Sequence, residues 1–124
     1  MSACNYTALS ILSAGTYASQ TFGSAVNITD FTGAVLLVEN CGPSLAGAAP
    51  TCDVKIETSG TVGGPWIGVE ASGTFPTANF AGTFACLNLS SEGYNNYIRA
   101  VVTPSGSAKF PVSVEAIGLK QNSP

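Results

Sequence analysis

Alternation of apolar and polar residues, broken at short intervals by glycine and proline, is the feature that most limits how this chain folds. Segment 52–58 alternates throughout, with apolar side chains on one face and mostly charged ones on the other. A period of two is typical of a half-buried antiparallel strand. Segment 109–116 repeats the pattern, and Pro111 requires a sheet edge, a bulge or the start of the strand because proline has no amide hydrogen.

Further strands and turns follow from the same signals. A strand is predicted at 96–103, and segment 33–39, apolar on both faces, predicts a central strand covered from both sides. Weaker strand candidates are 6–12, 16–22, 66–69 and 84–89, with a turn at 13–15 and a protruding loop at 42–51. Many short strands between glycine and proline turns are typical of a sandwich, a jelly roll or a small barrel. We therefore predict an all-β fold, an antiparallel, jelly-roll-like β-sandwich.

The length of 124 residues predicts a single domain. We divide it into N-terminal strands or an arm over 1–28, a sandwich core over 29–119 and a tail over 120–124. Residues 1–30 contain no lysine or arginine and no apolar run long enough for a signal peptide. The longest apolar run, 34–38, is far shorter than the roughly 20 residues that span a bilayer. We expect a chain made without export and outside the membrane.

Charged residues are scarce, which restricts the possible partners. They make up 9% of the chain, with a net charge of −3 and a mean hydropathy of +0.31. This composition excludes a charge-driven disordered chain and gives no basic surface for nucleic acid or an anionic membrane. A weakly charged surface on a small domain favours contact with other protein, in an oligomer or a larger assembly. The alternative is a surface made neutral by serine, threonine, asparagine and glycine.

The absence of histidine argues against catalysis. Without imidazole there is no Ser-His or Cys-His nucleophile pair, and zinc enzymes lose their commonest ligand. Asp53 and Glu57 share a strand face about 13 Å apart, beyond the roughly 5 to 9.5 Å of a glycosidase carboxylate pair. Lys55 between them predicts a surface ion pair. We predict no enzyme activity, no catalytic residue, no cofactor and no metal site.

Four cysteines, Cys4, Cys41, Cys52 and Cys86, allow three disulfide pairings if all of them pair. A bridge between Cys41 and Cys52 is geometrically reasonable because these residues flank the loop at the ends of two predicted strands. Chains made in a reducing cytosol rarely keep such bonds, so buried thiols that act as small apolar residues are an equal alternative.

Aromatic residues and the single arginine supply a candidate binding surface. Trp66 follows a Gly-Gly-Pro turn and could stack on a sugar together with Tyr94 and Tyr97. The competing interpretation places Trp66 in the core or at an interface. Arg99 lies on the outward face of its strand beside Tyr97, where it would anchor an intersubunit hydrogen bond or line a solvated edge. Trp66, Tyr94, Tyr97 and Arg99 are our predicted interface residues.

Five segments occur in an order that resembles a known group of proteins: TDFTGAV at 29–35, DVKIET at 53–58, GPW at 64–66, NNYIRAVVT at 95–103 and FPVSV at 110–114. The group is the small head-decoration or cement proteins of tailed bacteriophages, with related minor structural proteins. The most specific piece is the strand that holds tyrosine and arginine, followed by a turn and the closing strand. The resemblance covers about three-quarters of the chain, and its motifs are structural.

The resemblance implies a sandwich that binds the outside of an assembled phage head, often as a trimer, and bridges neighbouring major capsid protein subunits. The implied location is the virion head surface, after synthesis in the host cytoplasm, with neither nucleic acid nor membrane as a partner. Members of the group usually lack this set of cysteines. The alternative functions are a glycan-binding module and a minor tail or neck component of a phage particle.

Overall fold

A computed structural model describes residues 4–45, 50–69, 75, 77–78, 82–89, 95–105 and 108–121. These residues form strands and connections without a helix. The strands are β1 (Cys4–Tyr17), β2 (Thr21–Phe22), β3 (Val26–Asn27), β4 (Phe31–Cys41), β5 (Cys52–Ser59), β6 (Ile67–Gly68), β7 (Thr83–Leu89), β8 (Tyr97–Pro104) and β9 (Phe110–Gln121). In this part of the chain, no helix has the length and apolar character needed to cross a membrane.

The strands build two sheets in which every pair is antiparallel. The first sheet has the order β1-β9-β4-β7, and the second has the order β2-β8-β5-β6 with β3 also paired to β8. At one end of the long β1–β9 pair, Cys4 is opposite Gln121. The predicted antiparallel β-sandwich in a single domain is confirmed.

The core lies between the two sheets because alternate residues of each long strand point inward. In β5 the residues at 52, 54 and 56 are buried, and β9 and, apart from the buried Val101, β8 show the same period. The largest buried apolar side chains include Phe75, Phe110, Ile11, Ile28, Leu37, Ile56 and Ile98. Each such side chain contributes about 1.5 to 3 kcal/mol through removal from water, which is the main driving force for this fold.

The N-terminal region is divided differently from the prediction. The turn expected at 13–15 is an irregularity inside β1, where the register against β9 shifts between Leu12 and Gly15. The single strand expected at 16–22 is wrong, because β1 ends at Tyr17 in the first sheet and β2 begins at Thr21 in the second. Within 1–28, β1 is an integral strand of the first sheet, with Ile11 and Leu12 buried in the core.

Strand β4 is central in its sheet, but the expectation that both of its faces are covered is wrong. Its inward residues are buried, whereas Leu36 and Val38 on the outward face are only half-buried. No described element packs over them, because the domain has two layers and this face is the outside of one layer. The apolar outward residues therefore line a surface.

Pro111 is the second residue of β9, at the strand's start as predicted. Its carbonyl oxygen accepts a hydrogen bond from the amide of Gly42 at 2.8 Å. The predicted loop at 42–51 begins there, and its residues 46–49 lie outside the described part of the chain.

Candidate interaction surface

The outward face of β8 carries two of the predicted interface residues. Ile98, Ala100 and Val102 point into the core, so the alternate residues of the strand face outward. Tyr97 and Arg99 are therefore on one face, two positions apart. Since β8 has β5 on one side and β2 and β3 on the other, Arg99 lies in the middle of the second sheet. The interpretation of Arg99 as a residue of a solvated edge is wrong.

Arg99 forms an ion pair with Glu57, its direct partner across the β5–β8 ladder. Glu57 Oε1 is 2.7 Å from Arg99 Nη2 and accepts a hydrogen bond from Arg99 Nε at 2.8 Å. The Arg99 side chain is 21% exposed and that of Glu57 is 13% exposed. The Nζ of Lys55 is 3.7 Å from the other carboxylate oxygen, and the Lys55 side chain is 51% exposed. Partial exclusion of water makes the Arg99–Glu57 contact stronger than a fully exposed ion pair.

Two aromatic rings enclose the Arg99 guanidinium. Its central carbon is 4.5 Å from the ring centroid of Phe22 and 4.4 Å from that of Trp66. Both distances are within the range of cation–π attraction. The side chains of Phe22, Glu57, Trp66 and Arg99 form one unit, which we call the Arg99 stack. Its parts come from β2, β5, the chain just before β6, and β8.

A short turn places Trp66 over Arg99. The hydroxyl of Thr61 donates to the carbonyl oxygen of Gly64 at 2.6 Å, and the amide of Gly64 donates to the carbonyl of Thr61 at 3.1 Å. Gly64 has φ +89, a conformation that favours glycine, and a Cβ there would be 2.8 Å from Trp66 Cδ1. Glycine at position 64 therefore makes both the turn and the position of the indole possible.

A close backbone approach places Phe22 on the other side of Arg99. Phe22 is opposite Val101 in the β2–β8 pair, and the amide of Gly23 donates to the carbonyl of Ala100 at 2.7 Å. A Cβ at Gly23 would overlap the carbonyl oxygen of Ile11. Because glycine lets the chain pass this close to β1, the Phe22 ring reaches the guanidinium while 52% of the residue stays exposed.

The predicted interface residues are only partly brought together. Trp66 contacts Arg99, and Tyr97 shares its strand face. Tyr94 lies outside the described residues. The sequence interpretation missed Phe22, because two-residue strands leave no periodicity. The predicted ion pair of Lys55 is present with Glu57, but the closer contact of Glu57 with Arg99 was not predicted. Glu57 and Arg99 are direct partners in the register of β5 and β8, and this contact could be predicted only if that register were known.

Cys41 and Cys52 lie together inside the sandwich, one from each sheet. The pKa of Cys52 is raised far above its ordinary value. The largest cause is a hydrogen bond between the two thiols and the second is burial, and the charges of Glu39 and Asp53 act in the same direction. Cys52 is therefore a protonated thiol at neutral pH. The proximity is what a bridge between Cys41 and Cys52 requires, and that bridge remains a prediction. Cys86 is an exposed thiol on β7.

Glu39 is an ionisable group that the sequence interpretation missed. It is 0% exposed, and neither carboxylate oxygen has a hydrogen-bond partner among the described residues. Burial raises the pKa of its carboxyl from 4.5 to about 7. The signal was available, because alternation from Val35 and Leu37 places position 39 on the inward face. Among the described residues, no group of three metal-ligating side chains could hold a metal ion.

Neither a protein-family model nor a curated protein matches this chain. Its structure is similar to a chain in the structure of infectious bursal disease virus Gx strain, with a TM-score of 0.50 and 13% identity. The match covers 95% of this chain and 38% of the viral chain. A chain of the T13 viral particle of the same virus, IBDV, aligns with a TM-score of 0.49 and 12% identity over 94% of this chain and 35% of that one.

What the first match shows is a shared fold. The present chain spans about 38% of the length of that viral chain and forms a sandwich of the same kind.

Proposed function

We propose that this protein is a virion structural protein that decorates and cements a phage head. In this role it binds the outside of the shell and bridges neighbouring major capsid protein subunits, and it acts by binding rather than by catalysis. The likeness in fold to a chain of a virus supports a place in a particle. The resemblance of the sequence segments to phage decoration proteins supports the head surface.

The observation that carries the proposal is the Arg99 stack. Tryptophan and arginine are enriched among the residues that dominate binding energy in protein interfaces. Here they are held in place before any partner arrives, because Glu57 fixes the guanidinium and two rings enclose it. A side chain that is already ordered loses little conformational entropy on binding. The exposed ring of Phe22 extends the same surface.

The proposed partners are the major capsid protein and further copies of this chain, with a trimer favoured. A trimer would present several Arg99 stacks to one shell, and simultaneous binding raises the overall affinity well above that of one site. With 9% charged residues, the contact would depend little on ionic strength, which suits a particle that moves between media.

Copy counting in purified particles tests the proposal. Quantitative mass spectrometry of virions should find this chain in a fixed stoichiometric ratio to the major capsid protein. Particles without the chain should lose their contents at a lower temperature than complete particles. Absence from particles contradicts the proposal, and a presence of only a few copies indicates a neck or tail component instead.

A pair of variants tests the surface. Replacement of Trp66 by alanine should abolish binding to particles that lack the native protein, as measured by co-sedimentation. Leu45→Ala is the control, because Leu45 is an exposed apolar residue beside the first sheet, outside the Arg99 stack. Equal binding by both variants would rule out the Arg99 stack as the contact with the shell.

The glycan-binding alternative makes a different prediction for the same residue. Arg99 already covers part of the Trp66 ring, so a sugar would have to stack on the exposed part of that ring. The fluorescence of Trp66, the single tryptophan, would then change on titration with oligosaccharides. An unchanged spectrum together with particle binding supports cementing.

A further inference from the structure

Strand β7 forms an edge of the first sheet. In the strand order of the described residues it has β4 on one side and no strand on the other. An edge strand presents unpaired amide and carbonyl groups, which another strand of matching length can bind. All seven residues of β7 are in unbroken register with β4, so the edge is regular along its length.

The other described edges are protected in ways that β7 is not. The register shifts in β1 bend that edge, and β2, β3 and β6 have two residues each. Charged residues and proline also protect edge strands in monomeric proteins. The sequence of β7, TFACLNL, contains neither. Of the described edges, β7 is the one suited to pair with another strand.

Apolar side chains of β7 are only partly buried at this edge of the first sheet. Ala85 and Leu87 face inward and pack against the core, yet both are only half-buried. On the outward face Phe84 is 68% exposed. Beside it lie the half-buried Val38 of β4 and the exposed Cys86. Both faces of the sheet therefore leave apolar surface in water at this edge.

We infer that β7 pairs with β7 of a second copy of this chain, antiparallel and about a two-fold axis through Cys86, to form one continuous eight-stranded sheet. Cys86 is the midpoint of Thr83–Leu89, so this register uses the whole strand. It places Ala85 opposite Leu87 of the other copy, and the reciprocal contact follows by symmetry. The two half-buried inward residues of each copy then cover one another.

Self-complementarity favours a second copy over a different partner. The two-fold axis places residue 86 directly opposite residue 86 of the other copy, where a charged side chain would be repelled by its own copy. With no charge in the strand, no such repulsion occurs. The inference does not depend on the proposed function, because the mass of the isolated protein in solution is measured without any viral particle. It is also separate from any trimer contact, because it joins chains in pairs.

Analytical ultracentrifugation of the full chain and two variants tests the pairing. Cys86→Lys places two ammonium groups face to face on the axis and should halve the mass of the native assembly. Asn40→Lys is the matched control, because Asn40 is exposed on the same outward face but belongs to the neighbouring strand β4; the mass of this variant should stay unchanged. A monomeric native protein, or an assembly whose mass Cys86→Lys leaves intact, overturns the inference.

Cysteine cross-linking tests the register. In a Cys4→Ser background, mild oxidation should give a covalent dimer through Cys86 on a non-reducing gel, and Cys86→Ser should remove it. When Cys86→Ser is combined with both Phe84→Cys and Asn88→Cys, the dimer should return, since 84 faces 88. Either of these two cysteines alone should give none. A cross-link from Asn88→Cys alone would show a different register and refute the axis through Cys86.

Discussion

Glu39 and Glu57 are the same amino acid in two opposite environments of one sandwich. Glu57 lies on the outward face of the second sheet and meets Arg99 and Lys55, whereas Glu39 points between the sheets and meets no partner among the described residues. Arginine supplies the charge and hydrogen bonds that a half-buried carboxylate needs. Without them, burial raises the pKa of the interior carboxyl of Glu39 to about 7. On the outer surface an opposite charge stabilises the carboxylate, whereas burial in the interior disfavours the ionised form.

The largest expected effect concerns Glu39 and pH. Because the pKa is raised to about 7 in the folded protein, the native state holds a proton that the unfolded chain releases above pH 4.5. The free energy of unfolding should therefore fall as pH rises from 4.5 to about 7, by roughly 3 kcal/mol, and then level off. The ionisable group of the other sheet that interacts with Glu39 is Cys52 of β5.

Urea denaturation of the native protein and of Glu39→Gln at pH 4.5 and at about pH 8 measures this effect. The glutamine variant should lose most of the pH dependence, since an amide does not ionise. Glu115→Gln, at an exposed position of the same sheet, should keep it. An identical pH dependence in Glu39→Gln and the native protein would refute the assignment.

A smaller effect is expected at the outer pair. Arg99→Ala leaves the half-buried Glu57 with Lys55 as its remaining ion-pair partner and removes the contacts of Arg99 with the two rings. The free energy of unfolding should fall by about 1 to 2 kcal/mol. A double-mutant cycle with Glu57→Ala should give a coupling energy of about 0.5 to 1.5 kcal/mol, allowing for solvent screening of these partly exposed groups. A coupling near zero would mean that the aromatic contacts alone hold Arg99.

The smallest effect is expected for Lys55→Ala. The ion pair with Glu57 is long and the lysine is half exposed, so its loss should cost at most about 0.5 kcal/mol. Thermal unfolding at low and high salt gives the value, and added salt should reduce it further. A cost as large as that of Arg99→Ala would contradict the ranking of the two partners of Glu57.

The long strands of the sandwich could be predicted from sequence because each has one buried face. Segment 52–58 alternates and coincides with β5 to within one residue. Short strands are different: β2 and β3 have two residues each, and backbone contacts with β8 hold them there. Tertiary pairing, rather than local pattern, determines such elements.

The candidate site was predictable only in its residue types. The sequence predicts Trp66 and Arg99 as an aromatic residue and a cation of one interface, and the structure brings them together. Phe22 joins them through the β2–β8 pairing, a contact between residues far apart in sequence that no local pattern encodes. Glu39 was missed although a local pattern does encode its position. It ends a run of apolar residues in β4, and the run as a whole indicates an apolar strand.

The pairing of Cys4 with Gln121 has a practical consequence for work with this protein. The backbone at the beginning of β1 and at the end of β9 lies one strand spacing apart, about 5 Å. A short glycine linker would join these positions, so the chain could be reopened at another surface turn as a circular permutant. Two fluorophores, one attached before Cys4 and one after Gln121, would lie close together in the folded protein. Separation of β1 from β9 would then be measured as a loss of energy transfer between them.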